Sequence, residues 1–372
     1  MKQIMTVLGP ITPENLGLTS MHEHVLYDGS LFRKRYEKQT PSEVRSAFES
    51  GLAPDLRDNW NAPIRLEIYG ALLANYALSR DNLVNDDEEM MAGELSDFKA
   101  AGGSALLDVS SIGLRSNIPG LKRLSERSGI HIIASTGFYT EDFWPEQFSG
   151  FSADQFRAQM VSEIEEGIPG SGVKAGHIKL AITDLSAAQE RALRGGARAA
   201  IETGAAISIH PGIGIGSDGR RIAKILMDEG LKPERIVIAH ADGFMVEHDL
   251  HKLVMDLQSW GLNLDYHHAL LDQGVNISID CFGHRWYLEL SDSMIEHDWQ
   301  RLAGLVALIK EGYSSQIVLG TDTFLKILTR RGGGEGYCHL TRFVLPELRR
   351  FEVSDYDIRQ MMIETPARLL SI

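Results

Sequence analysis

From residue 86 onward the chain alternates short apolar runs with amphipathic stretches, and that alternation restricts the fold more than any other feature of the sequence. Strands are expected over 104–109, 130–135, 176–181, 205–210, 235–240, 274–280 and 316–322. Helices are expected over 86–101, 119–128, 187–203, 219–229, 247–260 and 297–311. Strands separated by helices run parallel in one sheet, because only a long crossover brings the chain back in the same direction. An earlier strand, ending on His22-Glu23-His24, brings the number of strands to eight. Eight βα units that close on themselves form a (β/α)8 TIM barrel of the α/β class. No break in composition marks a second domain, so residues 1–372 are expected to form a single barrel.

Residues 27–85 are an insertion after the first strand, where a βα loop ordinarily has about 2–6 residues. The segment is rich in charge and aromatic groups, Trp60 and Tyr69 among them, and a helix is expected over 67–78. A loop that follows a barrel strand belongs at the C-terminal mouth, where barrel active sites are built. A lid, a contact between subunits and a contact with substrate are equally open readings of it.

A formal charge of −14 argues against nucleic acid as a partner, since phosphate backbones need clustered Lys and Arg. No stretch approaches the ~20 apolar residues of a spanning helix, and the first residues lack the apolar run of a signal peptide. A cytoplasmic protein without membrane contact is expected. Cys281 and Cys338 are far apart, suit a reducing compartment and read as ordinary core or loop residues.

Alternate residues of a strand share a face, so His22 and His24 point the same way. Imidazole is the commonest metal-binding side chain near neutral pH. Taken alone, each histidine reads more readily as a satisfied or exposed side chain than as a ligand. The pair gains weight from other polar groups on the strands: Lys179 on the fourth, His210 ending the fifth, His240 ending the sixth and Asp322 ending the eighth. A closed barrel brings such strand ends to one mouth. Two divalent ions about 3.5–4 Å apart can share a hydroxide, lower its pKa and polarise the bond under attack. Four imidazoles and one carboxylate under-coordinate two zinc ions, and Lys179 cannot bridge them as an ammonium. Carbamylated, it becomes a carboxylate-like bridge.

Six segments now carry a resemblance: Thr6-Val-Leu-Gly-Pro-Ile, Met21-His-Glu-His-Val-Leu, Ala175-Gly-His-Ile-Lys-Leu, Ile207-Ser-Ile-His-Pro, Ile238-Ala-His-Ala-Asp and Leu319-Gly-Thr-Asp. In this order, over nearly the whole chain, they resemble the phosphotriesterase family of the amidohydrolase superfamily. The resemblance implies that His22, His24 and Asp322 hold the more buried metal and that His210 and His240 hold the more exposed one. A carbamate on Lys179 and a hydroxide would bridge the two ions, and Asp322 would orient that hydroxide and take its proton. Thr136-Gly-Phe-Tyr139 is similar to the segment with which the family's lactonases place a Tyr beside the metals, so Tyr139 is a candidate hydrogen-bond donor to substrate; core packing is its alternative reading. Ile279-Asp-Cys-Phe-Gly283 replaces the Asp-Arg-Tyr-Gly typical of acyl-homoserine lactonases, which points to the phosphotriesterase-homology branch. His284, Arg285, Trp286 and Tyr287 are candidate pocket residues, with packing or surface roles equally open.

The expected protein is a hydrolase with two divalent ions, zinc the favoured metal, acting on a small-molecule lactone or carboxylic ester as a homodimer. Phosphotriester hydrolysis and a non-catalytic small-molecule binding protein on the same scaffold are the alternatives. Gly214-Ile-Gly-Ser-Asp-Gly219 matches G-x-G-x-x-G, but the strand after it ends in His240 rather than an acid, which speaks against a dinucleotide site. A modest anion site at that helix start stays open.

Overall fold

The computed structural model describes residues 2–51, 60–212, 218–285, 287, 288, 293, 294 and 296–372. Eight strands make one sheet: β1 Thr19–Glu23, β2 Ala105–Asp108, β3 His131–Phe138, β4 His177–Ile182, β5 Ile207–Pro211, β6 Ile236–Ile238, β7 Asn276–Ile279 and β8 Ile317–Leu319. Each pairs in parallel with the next. The ends meet where Asp322 N–H donates to His22 O at 3.0 Å, which nearly closes the (β/α)8 barrel. Both faces of the sheet are covered, so the strands are almost continuously apolar rather than alternating.

Met21, Leu107, Ile133, Ala206, Val237 and Val318 fill the barrel interior, and Ile4, Leu16, Leu369 and Leu370 seal its lower end. That end is therefore solid, and polar side chains are free to gather only at the upper one. Between sheet and helices lies a larger core that includes Phe138, Phe156, Leu180, Ile209 and Leu305. Gly137 sits at φ +112°, and a Cβ on it would lie 2.1 Å from Lys179 O. Only glycine lets β3 pass this close to the backbone of Lys179.

Most expected helices form near their expected bounds, among them Glu88–Ala100, Ala187–Thr203 and Asp298–Lys310. The helix expected over 247–260 is broken into Leu250–Met255 and a 3-10 turn at Leu257–Trp260. Asp256 is extended there and its side chain accepts from Gln258 N–H, so a local cap competes with helix continuation. The glycine-rich stretch 213–217 lies outside the described residues; after it, Asp218 caps the helix Gly219–Asp228.

Within the insertion, Tyr27–Asp28 pairs antiparallel with Val84–Asn85 and ties its two ends together. The helix expected over 67–78 runs Leu66–Ala74 and stops because Asn75 is extended and caps the 3-10 turn Tyr76–Leu78. Phe32, Ile68, Leu72 and Leu78 of this segment pack on Tyr139 and Phe143, beyond β3, and on Leu325 and Ile327, beyond β8. Among the described residues no helix is long and apolar enough to cross a membrane.

Candidate metal centre

His22, His24 and Asp322 are brought together at the upper end of the barrel, all three buried. His24 Nε2 lies 3.4 Å and His22 Nε2 3.7 Å from Asp322 Oδ1. Lys179 Nζ is 3.1 Å from His22 Nε2. His240 Nδ1 approaches Asp322 Oδ2 at 3.9 Å, and its ring stands 4.7 Å from that of His22 and 4.6 Å from that of His210. Tyr139 completes the group, its ring 5.8 Å from that of His210. All seven residues singled out in the sequence therefore share one mouth.

The imidazoles are held from behind. Asp280, just past β7, places Oδ2 2.7 Å from His22 Nδ1 and Oδ1 2.8 Å from His240 Nδ1. His24 Nδ1 faces Ser110 Oγ at 2.8 Å. Fixing Nδ1 in this way leaves Nε2 as the free lone pair, the arrangement that metal-binding histidines use. Burial pushes His22 down to about 4, with the nearby Lys179 adding to the effect, so its ring is neutral near pH 7. Burial acts against the Asp322 carboxylate, but its interactions with the neighbouring imidazole of His22 and the hydrogen bond from His24 outweigh it and hold the group well below its ordinary range. Neutral imidazole and ionised carboxylate are the forms that bind a divalent ion. Burial also lowers the Lys179 amine to about 8, even though Asp280 and Asp322 pull the other way. An amine must be neutral to add CO2, and this one is neutral for a sizeable fraction of the time at mildly alkaline pH. The donor set fits two divalent ions.

Two of the four non-glycine residues with positive φ among the described residues belong to this centre: His240 at +53° and Asp322 at +43°. Left-handed backbone at such residues costs of order 1–3 kcal/mol and tends to collect at functional sites. Above the centre, the rings of Phe32, Tyr76, Tyr139, Phe143 and Phe324 meet mainly edge to face, with centroids 5.0–6.3 Å apart. The Arg35 guanidinium lies 4.6 Å from the centroid of Phe143 and pairs with Asp142 at 2.7 Å.

The phosphotriesterase family profile matches residues 2–370. The chain belongs to the phosphotriesterase family. An N-acetyltaurine hydrolase of Dictyostelium discoideum is 28% identical, with 100% of this chain and 98% of that protein covered. A resiniferatoxin-binding protein from Rhodobacter sphaeroides superposes with a TM-score of 0.83 at 26% identity, over 99% of this chain and 94% of its own. A lactonase from Listeria monocytogenes shares the fold, with a TM-score of 0.75 at 22% identity over 99% of this chain and 98% of its own.

Several residues around this phosphotriesterase-family centre escaped the sequence reading. Asp280 ends its strand as Asp322 does, and that parallel was the available signal. Behind it, Asp242 accepts from Cys281 N–H at 3.1 Å and from the buried Arg301 at 2.9 Å; Arg301 also binds Glu296 and Asp298. Nothing in the local pattern links these four residues, which lie up to 59 positions apart. Of the candidate pocket residues, His284 is buried and donates to Thr321 O and Asp322 O, while Arg285 is exposed and pairs with Glu335. Trp286 lies outside the described residues, and Tyr287 falls in a short strand that pairs with Met294.

Proposed function

We propose that this chain is a metal-dependent hydrolase of acyl bonds in a small molecule, with a lactone or carboxylic ester as the preferred substrate class. The observation that carries the reading is the pair His22 and His24, each held at Nδ1 with Nε2 turned toward the ionised Asp322, beside a buried lysine. In this reading His22, His24 and Asp322 would hold one ion, His210 and His240 would hold the other, and Lys179, as its carbamate, would serve both. When bound, two such ions acidify water and polarise the carbonyl. Zinc is the metal we assign, as it suits imidazole and carboxylate ligands.

The chain's own groups supply the rest. Asp322 is ionised and faces the centre, so it is the group that takes the proton of the attacking water. Burial raises the Tyr139 hydroxyl above its ordinary range, which keeps it a donor. It can give that hydrogen bond to the carbonyl oxygen as charge develops there. The rings of Phe32 and Tyr76, from the insertion, pack on Tyr139 and Phe324 beside the centre, an apolar surround that would strengthen both effects.

A second reading, amide hydrolysis, is favoured by relatives named N-acetyltaurine hydrolase, which are similar over the full chain. The nucleophile and proton acceptor are the same; only the leaving group differs. A binding role without turnover is the third outcome, since one structurally similar protein is named for resiniferatoxin binding. The deciding experiment is acid release from the metal-loaded protein on lactones, acyl esters, N-acyl amides and phosphotriesters, with Asp322→Asn as control. Turnover of a carbonyl class that the variant loses supports the proposal. Phosphotriester turnover alone, or none at all with two ions bound, overturns it.

A further inference from the structure

Strand alternation that sends His22 and His24 into the mouth turns Glu23 to the other face of β1. Glu23 is fully buried, and its recorded partners are hydroxyls and backbone N–H groups rather than a basic side chain. A buried carboxyl without a cation is costly unless donors surround it. Here they do. Ser20 Oγ donates at 2.5 Å, Thr321 N–H at 2.8 Å and Thr323 N–H at 3.2 Å, while Thr321 Oγ1 lies 2.8 and 2.7 Å from the two oxygens.

The two backbone donors flank Asp322, the residue with left-handed backbone. Every peptide group around it has a partner. Thr321 N–H and Thr323 N–H go to Glu23, and Asp322 N–H goes to His22 O at 3.0 Å. Thr321 O and Asp322 O accept from His284 Nε2 at 2.9 and 3.1 Å. The turn is gripped from below by a carboxyl and from above by an imidazole.

We infer that Glu23 is a positioning residue: it clamps residues 321–323 in the backbone conformation that aims the Asp322 carboxylate at His22 and His24. The middle residue of His-Glu-His thereby sets the distance between the ligand pair on β1 and the carboxylate beyond β8. The inference rests on the reading of Asp322 as ligand and proton acceptor. A carboxyl serves because both of its oxygens accept. A glutamine keeps the shape but turns an NH2 toward Thr323 N–H or Thr321 N–H, replacing an acceptor with a donor.

The test compares the parent with Glu23→Gln in two ways. Chelator-competed zinc titration reads metal affinity, and hydrogen exchange in the metal-free protein reads the amides of Thr321 and Thr323. We expect zinc affinity to fall about 10- to 100-fold, as it does when groups supporting metal ligands are removed. The two amides should exchange at least about tenfold faster while the strand amides of β3 and β4 stay protected. Unchanged exchange at both amides overturns the clamp whether or not metal binds. Faster exchange with parental zinc affinity overturns its coupling to the metal. A parent that binds no zinc refutes the functional reading instead, and the exchange result still decides the clamp. If Glu23→Gln does not fold, Thr321→Val takes its place: it removes the hydroxyl contact and keeps the N–H. A smaller change in the same direction is expected from it, and parental behaviour in both measurements overturns the inference.

Discussion

His22 and His240 have two strands, β7 and β8, between them around the barrel yet are tied to one carboxylate: Asp280 reaches Nδ1 of the first at 2.7 Å and of the second at 2.8 Å. In the proposed site these rings bind different ions, so one side chain orients ligands of both. The backbone N–H of His240 also donates to Asp280, at 3.0 Å, which fixes the left-handed residue as well as its ring.

Replacing Asp280 by Asn removes one of these acceptors. Chelator-competed titration should show zinc affinity lowered about 10- to 100-fold, with the fold retained by circular dichroism. Parental affinity would remove Asp280 from the support of the ligands.

Lys179→Ala should lose both bound metal and activity, because in the proposed site its carbamate is the group that joins the two halves of the centre. A short carboxylic acid added to the buffer should restore part of each, as it can occupy the place of the carbamate. Full activity in the variant without added acid refutes the bridge.

In the metal-free protein the same lysine makes stability depend on pH. Its folded pKa of about 8 lies below the ordinary lysine value of 10.5, so between these limits the unfolded chain holds more protons. Stability from this group therefore rises with pH across that window and is at its lowest below pH 8. Lys179→Met lacks this dependence. Urea melts of the two metal-free proteins should differ most below pH 8, with Met the more stable, and converge toward pH 10.5. A difference that is constant with pH would show that the amine is not desolvated.

Tyr139→Phe keeps the ring against His210 and Phe32 while deleting the hydroxyl. Loss of a donor to the developing oxyanion should lower kcat about a hundredfold and leave KM within a few-fold. An unchanged kcat assigns the ring to packing alone.

Phe32 anchors the insertion, touching the rings of Tyr76, Tyr139, Phe143 and Phe324. Phe32→Ala should cost about 3 kcal/mol or more of the stability of that segment. Limited proteolysis should cut residues 27–85 first, ahead of the barrel. Cleavage no faster than in the parent would show that the other contacts suffice.

The barrel was legible because periodicity and strand ends are local properties: strand 176–181 was expected and His177–Ile182 is found. The site residues were legible because a closed barrel converts strand ends into neighbours, which is how His22, His210 and Asp322 meet. What stayed hidden depends on contacts across long sequence distances. Glu23 reads as a spacer between two histidines until Thr321, 298 positions away, is seen to donate to it. The break at Asp256 and the end of the helix at Asn75 are side-chain caps, which compete with helix by less than a periodic pattern can register. The short helix Asp265–Leu271, absent from the expected helices, is held by such a contact too, His267 Nε2 meeting Ala241 O.

His240 and Asp322 hold their backbones where glycine or asparagine would rest more easily. Heat resistance and chemistry thus pull in opposite directions at these two positions. A variant library sorted only for survival at high temperature should accumulate glycine and asparagine there, yielding sturdier barrels with no centre left to work with. In the proposed function these two side chains are needed for the ions and the proton, a demand that would outweigh what the backbone alone prefers.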